Sequence, residues 1–177
     1  LSRPWQTVFC TPLAHVERDE CNAPEFFTGG AKLTLVGEAD KMTPEALEEA
    51  IARWPEGDVH VAQPGPLALT QVTEMGRVYT LEELGALTDL ARARNLPTYL
   101  DGARFANALE ALGCTPAEMT WKAGIEAVSV GGTKNGCLGV EAVIFFNPAK
   151  AWEFELRRKR AAHLFSKCRY LAAQMLG

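Results

Sequence analysis

The sequence has no apolar run approaching the roughly 20 residues that a helix needs to cross a bilayer, so nothing in it reads as a membrane span. It also has no C-x-x-C pair. Its five cysteines, Cys10, Cys21, Cys114, Cys137 and Cys168, are scattered and odd in number. That pattern argues against a zinc site or a disulfide framework and for free thiols in a reducing cytoplasm. Neither sign of charge dominates: 18 Lys and Arg against 22 Asp and Glu give a formal net charge of −4. An extended basic surface for nucleic acid is therefore not expected. The opening "LSRPWQTVFC" lacks the basic-then-apolar layout of a signal peptide. Internal repeats, low-complexity tracts and convincing linkers are missing as well. The first residue is not Met and the last follows a helix-like "YLAAQML", which points to both ends being cut from something longer.

What is present is enough for one well-buried core: 177 residues, 47% of them hydrophobic. A single domain over 1–177 is expected. Short apolar runs of strand length, "TVF", "AKLTLV", "DVHVA", "LALTQ", "LPTYLD", "EAVSV" and "EAVIFF", alternate with helical patterns. "TPEALEEAIARW" has Thr43 as N-cap and Pro44 at N1, where a missing N–H costs nothing. "TLEELGALTDLARARN" makes a capping box from Thr80 and Glu83, and "TPAEMTWKAG" repeats that design with Thr115, Pro116 and Glu118. "AQPGPL", residues 62–67, reads as a loop. The alternation predicts an α/β domain with a largely parallel sheet, whose sites lie at the carboxyl ends of strands.

Two such ends carry chemistry. "PTYLDGARFANAL" runs as a strand into Asp101, with a helix opening near Arg104. A carboxylate there is costly unless a cation or a donor meets it. "AVSVGGTKNGCLG" delivers Lys134 from a buried strand into a glycine-rich turn. A lysine at a crowded, partly dry strand end would lose hydration, which suits covalent chemistry with a carbonyl. The flanking glycines would permit close approach by a flat ligand. On the residues alone, Asp101 could merely cap a helix and Lys134 could be solvated; "GGTKNG" does not have phosphate-loop spacing. Taken together, an acid and a lysine on neighbouring strand ends match what pyridoxal phosphate requires: an amine for its aldehyde and an acid for its ring nitrogen.

"LAHVERDECNAPEFF" (13–27), "DGARFANA" (101–108) and "SVGGTKNG" (129–136) resemble the low-specificity L-threonine aldolases, fold-type I enzymes that use pyridoxal 5′-phosphate. The resemblance runs over nearly the whole chain. It implies a three-layer αβα fold with a mostly parallel central sheet, the large domain of fold-type I (aspartate aminotransferase-like) enzymes. It also implies the retro-aldol cleavage of β-hydroxy-α-amino acids to glycine and an aldehyde. Lys134 then matches the lysine that binds the cofactor aldehyde, Asp101 the acid at the ring nitrogen, and His15 the histidine stacked on the ring. Arg104 matches a substrate-carboxylate ligand, His60 a second histidine near the substrate hydroxyl, and Arg158 a phosphate contact across a subunit interface. The base would be His15, His60 or a bound water.

The family enzymes are longer, so an N-terminal segment with the phosphate loop and a C-terminal small domain would be absent from this chain. A homotetramer is implied for the full-length family. Tyr99 stands where the resemblance leads one to expect histidine. Another fold-type I enzyme, such as a β-eliminating lyase or an aminotransferase, would share Lys134 and Asp101; a non-catalytic α/β fragment would need neither.

Overall fold

A computed structural model of the protein describes residues 1–176. Six strands form one sheet: β1 (Gln6–Cys10), β2 (Lys32–Leu35), β3 (Gln63–Thr70), β4 (Thr98–Gly102), β5 (Ala127–Gly131) and β6 (Glu141–Phe145). Their order is β2-β1-β3-β4-β5-β6. The first five run parallel, and β6 returns antiparallel to β5. The helices are α1 (His15–Arg18), α2 (Ala23–Thr28), α3 (Pro44–Ala52), α4 (Leu81–Ala93), α5 (Phe105–Leu112), α6 (Pro116–Met119), α7 (Ala151–Arg160) and α8 (Cys168–Ala172).

Local chemistry accounts for several boundaries. The Thr43 side chain accepts a hydrogen bond from the Ala46 N–H at the start of α3. Both halves of the capping box form at Thr80/Glu83 on α4 and at Thr115/Glu118 on α6. These helices bury Leu47, Leu84, Leu87 and Met119 against Phe9, Leu67, Leu69, Leu100 and Val128 from the sheet.

Residues 58–62, expected as a strand, form turns, and the strand starts instead at Gln63, inside the stretch expected as a loop. Prolines at 64 and 66 hid it, because proline cannot donate to a ladder. Here the ladder to β1 is irregular between Thr7 and Phe9, and pairing to β4 begins only at Leu67, so neither N–H is needed.

The order β2-β1-β3 makes the chain leave the carboxyl ends of β1 and β3 in opposite directions. Such a divergence opens a crevice at that edge, which is where ligands bind in open parallel sheets. At the neighbouring ends of β4 and β5 the backbones close up instead. A Cβ on Gly131 would sit 2.5 Å from the Ala103 carbonyl oxygen, and one on Gly102 would strike the Ser129 carbonyl. Gly131 and Gly102 therefore bring two strand ends together. Gly131→Ala should cost about 1–3 kcal/mol of stability through overpacking, measurable as a lower urea midpoint with an unchanged slope.

Candidate active site

Asp101, the penultimate residue of β4, lies beside Thr70 of β3 and Ser129 of β5. Its backbone carbonyl accepts from the Gln71 N–H at 2.9 Å, which fixes the strand end. The side chain is half-buried, and Oδ1 accepts from the Ala103 N–H at 3.0 Å. Burial holds the carboxyl above the usual aspartate range. The Ala103 N–H opposes that; the negative charge of Glu74 adds to it, and a positive His15 would oppose it. This is a carboxylate short of donors, suited to a cationic N–H.

Across the crevice, α1 follows β1 and begins at His15. The His15 backbone N–H, a helix-start donor with no intrahelical acceptor, donates to Glu74 Oε1 at 2.8 Å. Glu74 lies in the turn that leaves β3, so this hydrogen bond spans the divergence point. Its second oxygen, Oε2, is buried and has no partner among the described residues. The His15 ring Nδ1 lies 2.8 Å from Glu20 Oε1, which leaves Nε2 as the other working nitrogen. Neither Glu20 nor Glu74 was singled out by the sequence. Glu74 stands four residues beyond Thr70, the last residue of β3, so a search for charged residues that end apolar runs passes over it.

The turn carrying Glu74 is anchored from behind. The buried Gln71 side chain donates to the Tyr79 carbonyl at 2.8 Å and accepts from the Tyr79 N–H at 2.9 Å. Thr73 and Arg77 both donate to Asp40. Tyr79 itself is buried, and its hydroxyl accepts from the Met42 N–H at 2.8 Å.

Lys134 follows β5 on a single 3-10 turn, Thr133–Asn135. It is exposed rather than set in a dry strand end, and no ion pair or hydrogen bond reaches its amine from the described residues. Arg104 is the N-cap residue of α5, half-buried, three residues beyond Asp101. Tyr99 shares the Asp101 face of β4, with its hydroxyl 2.8 Å from Ser129 Oγ. Burial and then Asp101 raise its pKa. Cys10, at the end of β1, is pushed up to about 12 by burial, with Glu17, Glu25 and Glu74 adding to it.

His60 is not brought to this edge. It is exposed and precedes the amino end of β3, whereas Asp101 pairs with the carboxyl end; eight residues of strand separate the two edges, roughly 23 Å. Arg158 lies on α7, where it meets Glu155 at 3.6 Å and the His163 carbonyl at 3.4 Å. With Thr133, the neighbour of Lys134, it lines a cavity of about 900 Å³ between β6 and α7. Among the described residues, no group of His, Cys, Asp and Glu could hold a metal ion, and no helix is long and apolar enough to cross a membrane.

An open, mostly parallel α/β sheet with an acid, a histidine and a lysine at its carboxyl edge defines a class of ligand-binding α/β enzyme folds. More specifically, the chain belongs to the beta-eliminating lyase family, whose model matches residues 1–176. It is 46% identical over 178 residues to the low specificity L-threonine aldolase of Pseudomonas sp. (strain NCIMB 10558), covering all of this chain and 51% of that protein. It is 44% identical over the same length to the low specificity L-threonine aldolase of Pseudomonas aeruginosa, with the same coverage. The chain thus spans about half the length of the curated relatives it matches. Among solved structures, a threonine aldolase of Leishmania major superposes with a TM-score of 0.77 at 27% identity, covering 90% of this chain and 46% of that one.

The raised Asp101 pKa has a stability consequence. Above that pKa, the folded protein holds an ionised carboxylate in a site that disfavours it. Stability therefore falls as pH rises through the raised value, and the penalty is absent where Asp101 is protonated in both the folded and unfolded states. Asp101→Asn should accordingly stabilise the ligand-free protein at neutral pH, and this gain should vanish in acid; denaturant midpoints across pH test this.

Proposed function

We propose that the protein is a pyridoxal 5′-phosphate-dependent aldehyde-lyase. It would cleave L-threonine, L-allo-threonine or related β-hydroxy-α-amino acids such as phenylserine to glycine and an aldehyde. One observation carries the reading: a half-buried, donor-poor carboxylate, Asp101, lies at the carboxyl end of β4, and an exposed lysine amine with no ion pair among the described residues, Lys134, follows the end of the adjacent parallel strand β5. The whole-chain similarity to curated threonine aldolases supports the choice of this reaction over transamination or simple β-elimination. Residues 1–177 would then form part of the cofactor-binding large domain.

The residues fit the cofactor's ring end. Burial makes the Asp101 carboxyl hard to ionise alone, and a protonated ring nitrogen would supply the missing partner. The Lys134 amine is available to hold the aldehyde carbon, and Arg158 would contribute to the phosphate end of a neighbouring subunit's site. Bound there, pyridoxal phosphate supplies a sink for the electron pair released from the Cα–Cβ bond.

The chain's own groups do the rest. Asp101 would hold the protonated ring nitrogen. His15, oriented through Nδ1 by Glu20, would hold the ring's face. Arg104 holds the substrate carboxylate through its planar fork. With His60 at the opposite edge, the group that faces the substrate hydroxyl has to come from the carboxyl ends of the strands. A homo-oligomer is part of the same proposal, supported by exposed apolar side chains such as Phe26 and Trp152. A cytoplasmic setting is supported by five free cysteines.

The holoenzyme should release aldehyde and glycine in equal amounts from threonine or phenylserine; ammonia and a keto acid would instead mark an eliminating or transaminating enzyme. In Lys134→Ala the visible absorbance band of cofactor joined to a lysine should disappear, and turnover should fall at least a thousandfold, on the order of losses on removing a covalent catalyst. An inert α/β module would show neither the band nor its loss.

A further inference from the structure

The polar groups of the crevice are assigned unequally. Asp101 faces a ring nitrogen in the activity proposed above, and Arg104 a substrate carboxylate. Glu20 is occupied by the His15 ring, 2.8 Å away. A β-hydroxy-α-amino acid brings one further donor, its hydroxyl, and that donor needs an acceptor at the carboxyl edge. Glu74 has one to give. Its Oε1 is taken by the His15 N–H at 2.8 Å, while Oε2 is buried without a donor among the described residues. A carboxylate oxygen shut away from water and unpartnered is costly, so a native site that keeps one has a use for it.

Position and rigidity point the same way. Glu74 reaches across the divergence between β1 and β3, where open parallel sheets bind ligands. The strand that leads to Glu74 pairs Thr70 with Asp101, so both carboxylates belong to the same edge of the sheet. The turn is held by Gln71 through both backbone groups of Tyr79, and by Thr73 and Arg77 through Asp40. Glu74 thus projects from a fixed frame. A neutral O–H donor suits it well, because a hydroxyl-to-carboxylate hydrogen bond is short and roughly twice as strong as a neutral one.

Resting on the lyase activity proposed above, we propose that Glu74 Oε2 accepts the hydrogen bond of the substrate's β-hydroxyl and so makes the site selective for hydroxylated amino acids. The position for which His60 was the candidate is then filled by a carboxylate.

Glu74→Gln keeps an oxygen for the His15 N–H but replaces the charged acceptor with an NH₂ donor. Holoenzyme can be titrated calorimetrically with L-serine and L-alanine, which differ by one hydroxyl. The unmodified protein should bind L-serine more tightly, and the variant should lose roughly tenfold of that preference while its L-alanine affinity stays constant. An unchanged preference overturns the proposal. So does a parallel loss for both ligands, which would make Glu74 only a support for the His15 loop. Should Glu74→Gln not fold, Glu74→Asp, with the carboxylate withdrawn by one methylene, bears the same comparison. Glu25→Gln, which alters another buried oxygen lacking a partner, should leave the preference intact. Failure of threonine cleavage by the unmodified holoenzyme would remove the activity without touching the serine-to-alanine ratio, so the two claims fall separately.

Discussion

The parallel register that sets Thr70, Asp101 and Ser129 side by side is the constraint from which the candidate site follows. Parallel strands finish at one edge, so chain segments far apart in sequence must release their polar groups into the same space. The same ladder takes water away from Asp101. Cost and utility have one origin here: the carboxylate is expensive because it sits at the end of a buried strand, and a cation can be held there for that reason.

The two halves of the edge solve different problems. Between β1 and β3 the chain diverges, and a side chain meets a backbone group from the opposite direction across the opening, as Glu74 does with the His15 N–H. Between β4 and β5 the backbones pack so closely that side chains are excluded at Gly102 and Gly131. That contact fixes where β5 ends, and the exposed 3-10 turn bearing Lys134 starts from there. An exposed amine beyond one strand end and a fixed acid on the neighbouring strand is the division that the proposed chemistry would use.

Much of this could be read from residue order. Caps at Thr43, Thr80 and Thr115 declare helices through local hydrogen bonds, and Asp101 and Lys134 announce themselves as polar residues ending apolar runs. The start of β3 could not be read this way, because Pro64 and Pro66 speak against a strand until a ladder irregularity releases them from donating. His60 misled for the same reason: its alternating neighbours have the period of a strand, but the strand begins after it. Glu74 and Glu20 stayed invisible because their meaning depends on which loops face each other, and that is set by strand order, a non-local property.

The Gln71 side chain imitates a peptide group. By bonding both the carbonyl and the N–H of Tyr79, it adds a rung to the ladder made from a side-chain amide and closes an eight-residue loop upon itself. Closing a loop of that length is an entropic cost met once, during folding. The turn that carries Glu74 is therefore ordered before any ligand binds, and the ligand proposed there would spend no binding energy on arranging the chain.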